Sequence, residues 1–151
     1  MSESLKGYDL AVLGAGSAGF SAAITAAEQG ARVALIGHGT IGGTCVNVGC
    51  VPSKTMIQAA EELHNARGLS RFAGLQGRAE MTDWGALARQ KDDLVLSLRE
   101  AKYIDVLPAH ETISYVPGPA RLTAEGVAIN GSALPADKII VATGAQAMRP
   151  D

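Results

Sequence analysis

Apolar positions along the chain fall into short blocks whose period changes from one block to the next. Tyr8 to Leu13 is an apolar run that ends in Gly14-Ala15-Gly16-Ser17-Ala18-Gly19. Ala22, Ala23, Ala26 and Ala27 then recur at helical spacing and stop at Gly30, and Ala31 to Ile36 alternates before Gly37. A strand, a glycine turn, a helix and a second strand in that order predict a βαβ unit with parallel strands. From Pro52 to about Arg67, Met56, Ile57, Ala59, Ala60 and Leu63 carry helical periodicity. A glycine-bearing break (Gly68, Gly74, Gly77) precedes a second long helix over about 82–107, with Trp84, Leu87, Leu94, Leu98 and Ile104 as its apolar positions and Pro108 as its stop. The polar stretch Arg89 to Asp93 reads as its solvated face.

Beyond Pro108 the period shortens. Thr112 to Val116, Ala120 to Leu122, Val127 to Ile129 and Lys138 to Ala142 are β-rich runs separated by Pro and Gly, with Asn130-Gly131 a strong hairpin turn. We read these as a small antiparallel meander leading into Ile139-Ile140-Val141-Ala142-Thr143-Gly144. That run is expected to be a buried strand ending in small residues, where a nucleotide or a crossing loop comes close. The fold expected is α/β: a Rossmann-like parallel sheet plus the small meander, as one unit over residues 1–151. No repeat or low-complexity tract is apparent.

The glycines between the first strand and the first helix gain a chemical reading from that context. In G-x-G-x-x-G, the first glycine permits a tight turn, the second lets backbone approach a pyrophosphate, and the third lets helix pack on strand. Gly14, Gly16 and Gly19, with Ser17 and Ala18 between them, are therefore candidate dinucleotide-binding residues.

Composition narrows the partners. A formal charge of -2, with 47% hydrophobic and 19% charged residues over 151 positions, suits one globular domain. No basic run marks a nucleic-acid or anionic-membrane binder. Leu10 to Ala27 lacks charge but is interrupted by glycines, Ser17, Ser21 and Thr25, which is poor composition for a membrane span. Glu3 and Asp9 around Lys6 also disfavour a signal peptide. We expect no membrane partner and a cytoplasmic location.

Both cysteines, Cys45 and Cys50, lie in one short glycine-bearing stretch. A disulfide closing so short a loop would restrict the unfolded chain little, so a redox couple is a better reading than a structural staple. Placed at the entrance of the helix that follows, the thiols are expected to have lowered pKa values and to act as nucleophiles or metal ligands. Two sulfurs are too few for a closed zinc site or an iron-sulfur cluster, and His38, His64 and His110 show no ligand spacing. Cu(I) or Hg(II) would suit two thiolates, and so would a two-electron exchange with a flavin, with Lys54 beside the reduced ring.

The run Gly42-Gly43-Thr44-Cys45-Val46-Asn47-Val48-Gly49-Cys50-Val51-Pro52-Ser53-Lys54, after a glycine-rich βαβ unit and before Ala142-Thr143-Gly144, resembles the FAD-binding front of the flavin-dependent pyridine-nucleotide disulfide oxidoreductases. Gly39-Thr40-Ile41-Gly42-Gly43-Thr44 and Ala101-Lys102-Tyr103 make it most similar to the mercuric reductases within that family, with the dihydrolipoyl dehydrogenases next. The resemblance implies FAD along Gly14, Gly16, Ser17, Ala18, Gly19, Gly43 and Thr44, with backbone contacts from Gly39 and Ala120 and with Ala142, Thr143 and Gly144 nearby. It implies Cys50 against the flavin, Cys45 toward substrate, and Lys54 at the ring edge. Electrons would pass from NADPH through FAD and the thiol pair to Hg(II) or, in the alternative, to a small disulfide; a non-catalytic thiol module that binds a soft metal is the competing class. It further implies an NADPH domain and a dimerisation domain outside this segment, so homodimers and turnover belong to the full-length protein. One departure stands out: Gly37-His38 occupies the place where the family pattern carries an acidic residue for the adenosine ribose.

Overall fold

A computed structural model describes residues 7–124 and 126–148. Glu3, Lys6 and Arg149 to Asp151 lie outside the described residues. The first strand, β1 (Tyr8–Leu13), leads through the glycine turn into α1 (Ser17–Glu28) and back to β2 (Val33–Gly37), with β1 and β2 parallel. Short α2 (Gly43–Asn47), α3 (Cys50–Arg67), a 3-10 turn at Gly68–Arg71 and α4 (Trp84–Arg99) follow. The chain then enters β3 (Ile113–Pro117), β4 (Ala120–Thr123), β5 (Gly126–Ile129), β6 (Ser132–Leu134) and β7 (Ala136–Val141).

Two sheets result. Strands β3-β2-β1-β7 form a parallel sheet in that order, and β4-β5-β6 form an antiparallel meander. The Thr112 to Val116 run therefore belongs to the parallel sheet and not to the meander, as β3 pairs with β2 from Val33↔Ile113 to Gly37↔Pro117. The Asn130-Gly131 turn forms as read, with φ of 51° and 83° and Ile129 paired to Ser132. Those positive values at both central residues match the twist that two antiparallel strands require.

The central strands are buried on both faces, so their residues sort by parity into two cores. Leu10, Val12, Val33 and Leu35 face the helices with Phe20, Ala23 and Tyr103, whereas Ala11, Leu13, Ala34 and Ile36 face Val127 and Ile129 of the meander. The molecule is thus layered as helices, parallel sheet and meander. β7 departs from expectation: Ile139, Ile140 and Val141 are exposed, and β7 is an edge strand that pairs with β1 alone among the described residues.

The second long helix also differs. Asp83 caps α4 by accepting from the Ala86 N–H at 3.0 Å, and the helix runs regularly only to Arg99. It continues as a π-helical turn, Glu100–Ile104, in which Asp105 N–H reaches back to the Glu100 carbonyl at 2.9 Å. The wider turn resets the periodicity. Val95 and Tyr103 are its buried side chains, while Trp84, Leu94 and Ile104 are exposed. Among the described residues no helix is long and apolar enough to cross a membrane. The uncharged Leu10 to Ala27 run is divided between β1, the turn and α1.

Candidate functional site

All four parallel strands deliver their carboxyl ends to one side, and a cleft of about 830 Å³ opens there. That is where open parallel sheets place ligands, and the volume suits a small-molecule or cofactor site. Its floor is backbone. Gly14 has φ 118°, and a Cβ there would lie 2.1 Å from the Ala142 carbonyl oxygen, so the first turn admits only glycine. A Cβ at Gly19 would lie 1.7 Å from the Gly14 carbonyl oxygen, which locks the start of α1 against the turn. No side chain caps α1, and its N-cap is Gly16. The first-turn N–H groups thus face the cleft with the positive end of the helix dipole.

The cysteine segment is stitched directly to this turn. Gly42 N–H donates to the Ala15 carbonyl at 2.9 Å, Gly16 and Gly42 form a parallel bridge, and a Cβ at Gly43 would fall 2.8 Å from Gly16 Cα. The two glycine segments therefore touch through backbone alone. Thr44 and Cys45 follow at once on α2, in the cleft wall. Asn47 holds the loop from behind: its amide donates to the Ile41 carbonyl at 2.9 Å and the Gly43 carbonyl at 2.8 Å, and its oxygen accepts from Arg99 at 3.2 Å.

Gly14, Gly16, Ser17, Ala18, Gly39, Gly43, Thr44, Cys45, Ala120, Ala142, Thr143 and Gly144 all line the cleft. Three of the sequence-based candidates do not. Gly19 is buried in packing, Cys50 is the exposed first residue of α3, and Lys54 is exposed four residues further along that helix. Both cysteines are exposed free thiols. The pair does not share one helix entrance as the sequence suggested, since Cys45 lies within α2 and only Cys50 begins α3.

The thiol electrostatics depart from expectation as well. Cys45 has its pKa raised above the ordinary thiol value, first by its hydrogen bond with the Cys50 side chain, then by desolvation and the Cys50 charge. Lys102 pulls in the opposite direction as the weakest influence. A five-residue helix has too small a dipole to overcome a neighbouring thiol. No group of three or more His, Cys, Asp or Glu residues among the described residues could hold a metal ion.

Asn47 and Tyr103 enter the sequence reading only as parts of matching motifs, with no role of their own, and Tyr115 is not singled out there. Asn47 was legible in principle as a lone amide between Val46 and Val48. Tyr103 donates to or accepts from Ser17 at 2.9 Å and meets Phe20 edge-on at 4.9 Å, anchoring the end of α4 beneath the first turn of α1. Its place depends on the π turn, which no periodicity announced.

The family described as pyridine nucleotide-disulphide oxidoreductase matches residues 8–151. The chain belongs to that family. It is 44% identical to the mercuric reductase of Lysinibacillus sphaericus over 144 residues, covering 95% of this chain and 26% of that protein. It is 46% identical to the mercuric reductase of Streptomyces lividans over 75% of this chain and 25% of that protein. Among solved structures it superposes on the HOCl-induced flavoprotein disulfide reductase RclA from Escherichia coli with a TM-score of 0.74 at 30% identity, covering 95% of this chain and 29% of that one. The chain thus spans about a quarter of the length of the curated relatives it matches.

Proposed function

We propose that this chain is the FAD-binding, dithiol-bearing part of a flavoprotein oxidoreductase that reduces Hg(II) with electrons from NADPH. The observation that carries this reading is the position of Cys45, a free thiol in the wall of a glycine-floored cleft and close enough to Cys50 for that side chain to raise its pKa. The residues present fit the cofactor: Gly14, Gly16 and Gly43 line the cleft without side chains, and no side chain caps the first turn of α1, so backbone is what a pyrophosphate would meet there. Ser17 and the uncapped N–H groups of α1 would hold the phosphates, and Gly39 and Ala120 the adenosine end. Bound there, FAD would supply the route by which a hydride equivalent from NADPH reaches sulfur.

The chain's own part is to present two sulfurs. Two electrons and two protons convert a Cys45–Cys50 disulfide into the dithiol. Capture of Hg(II) by both sulfurs releases two protons and gives a two-coordinate bis-thiolate, which suits so soft an ion. Two further electrons from NADPH then release elemental mercury and leave both thiolates. The family resemblance assigns Cys50, at the head of α3, to the flavin side and Cys45 to the substrate side, although it is Cys45 that lines the cleft; Lys54, one turn beyond Cys50, adds positive charge to the same helix face.

The test is an absorbance titration of the chain with FAD, before and after reduction with dithionite. Saturable binding with a long-wavelength shoulder on reduction is expected. Free-flavin spectra throughout would overturn the reading. In the full-length protein, NADPH-dependent loss of Hg(II) with no turnover of small disulfides is expected, and the reverse preference would reassign the substrate.

A further inference from the structure

We propose that the Tyr115 hydroxyl binds the adenosine ribose of the cofactor, taking over the position from which an acidic side chain at the end of the second strand ordinarily does so. The proposal rests on the FAD reading above, and its test separates the two. The register of β2 and β3 sets Leu35 opposite Tyr115 and Gly37 opposite Pro117. Residues two apart along a strand, or opposite each other across a pair, point to one face, so Tyr115 shares the face of Leu35 and Gly37. The tyrosine packs against the core on that face.

A Cβ built on Gly37 would meet the Tyr115 hydroxyl oxygen at 2.5 Å, its Cε2 at 2.9 Å and the Ala15 Cβ at 2.9 Å. The phenol therefore fills the volume from which a side chain at position 37 would start. With Tyr115 in this position, an acidic side chain at 37 would have to displace the phenol, so Gly37 and Tyr115 are matched to each other. Both line the cleft, with Gly118 and Ala120 beside them. The hydroxyl has no hydrogen-bond partner among the described residues, and it is not sealed from the cleft. A phenol donates and accepts one bond each with ease, so it can serve a ribose hydroxyl without a formal negative charge.

The experiment measures FAD affinity by flavin fluorescence, with ADP, 2′-deoxy-ADP and 3′-deoxy-ADP as competitors, on the wild type, Tyr115→Phe and the double variant Gly37→Glu/Tyr115→Val. The wild type is expected to prefer ADP over at least one deoxy analogue by about fivefold, and Tyr115→Phe to lose that preference with an FAD affinity about fivefold weaker. The double variant is expected to regain the preference, because it restores both the acid and the space for it. An ADP preference that survives in Tyr115→Phe, or that is missing from the wild type, overturns the role of Tyr115 and leaves FAD binding standing. Failure of the wild type to bind FAD at all overturns both.

Discussion

Cys45 and Cys50 lie in one segment, yet the fold gives them different settings, and that difference governs their reactivity. The Cys50 side chain, hydrogen-bonded to the Cys45 thiol, holds the Cys45 pKa above the ordinary thiol value. A raised value means that Cys45 is protonated across neutral pH and becomes nucleophilic only as pH climbs, since the thiolate is the reactive form. Replacing Cys50 with Ala removes the first cause of the shift. In Cys50→Ala, the pH profile of Cys45 alkylation by iodoacetamide should therefore move to lower pH than in the wild type, followed by mass spectrometry of the modified peptide. An unchanged profile would mean that desolvation, and not the neighbouring thiol, sets the value. Cys45→Ala and Cys50→Ala also separate the two roles: a long-wavelength charge-transfer band with bound oxidised FAD should be present in the first and absent from the second.

At the scale of elements, the segment from Gly39 to Gly49 is held by the backbone bridge at Gly42, by the short helix α2 and by one side chain. Asn47 makes two donated bonds to the loop's own carbonyls and accepts one from Arg99 of α4. Asn47→Ala leaves these partly buried groups without partners and should cost about 1–3 kcal/mol, measured by urea denaturation. It should also weaken FAD binding, because α2 is no longer held against Gly16. Elements with strong local rules were legible: β1, α1 and β2 follow from the apolar blocks and the glycines between them, and the β5–β6 turn from Asn130-Gly131. The partners of strands were less so. Whether the β3 run joins a parallel or an antiparallel sheet is decided by a crossover through three helices, and nothing in its five residues encodes that choice. The π turn was illegible for a related reason: Tyr103 is pulled inward by Ser17 and Phe20, which are more than eighty residues away in sequence. The glycines and Cys45 of the site were readable as a motif, whereas Asn47 and Tyr115 act through contacts that exist only after folding.

Across the whole molecule, the parallel sheet separates its chemistry from part of its fastening. The cleft lies at the carboxyl ends of the strands, and at the opposite ends Asp9 of β1 accepts from the Arg32 backbone N–H at 2.6 Å and pairs with the Arg32 guanidinium at 3.5 Å, just before β2. The backbone bond is the leading cause that lowers the Asp9 pKa below its ordinary value of 3.8. A carboxylate whose folded pKa is depressed adds stability that is present above its unfolded pKa and is lost as pH falls through the folded one. Its contribution is therefore whole at neutral pH and disappears only in acid, below the ordinary carboxylate range. Asp9→Asn should melt at a lower temperature than the wild type at pH 7, and the gap should close as pH is taken down through that window. Because the pair sits at the far edge of the sheet from Gly14 and Cys45, FAD affinity at pH 7 should be unchanged in the same variant. A melting gap that persists at low pH would assign the effect to packing at the strand ends instead of to charge, and a parallel loss of FAD affinity would mean that the two ends of the sheet are coupled through β1.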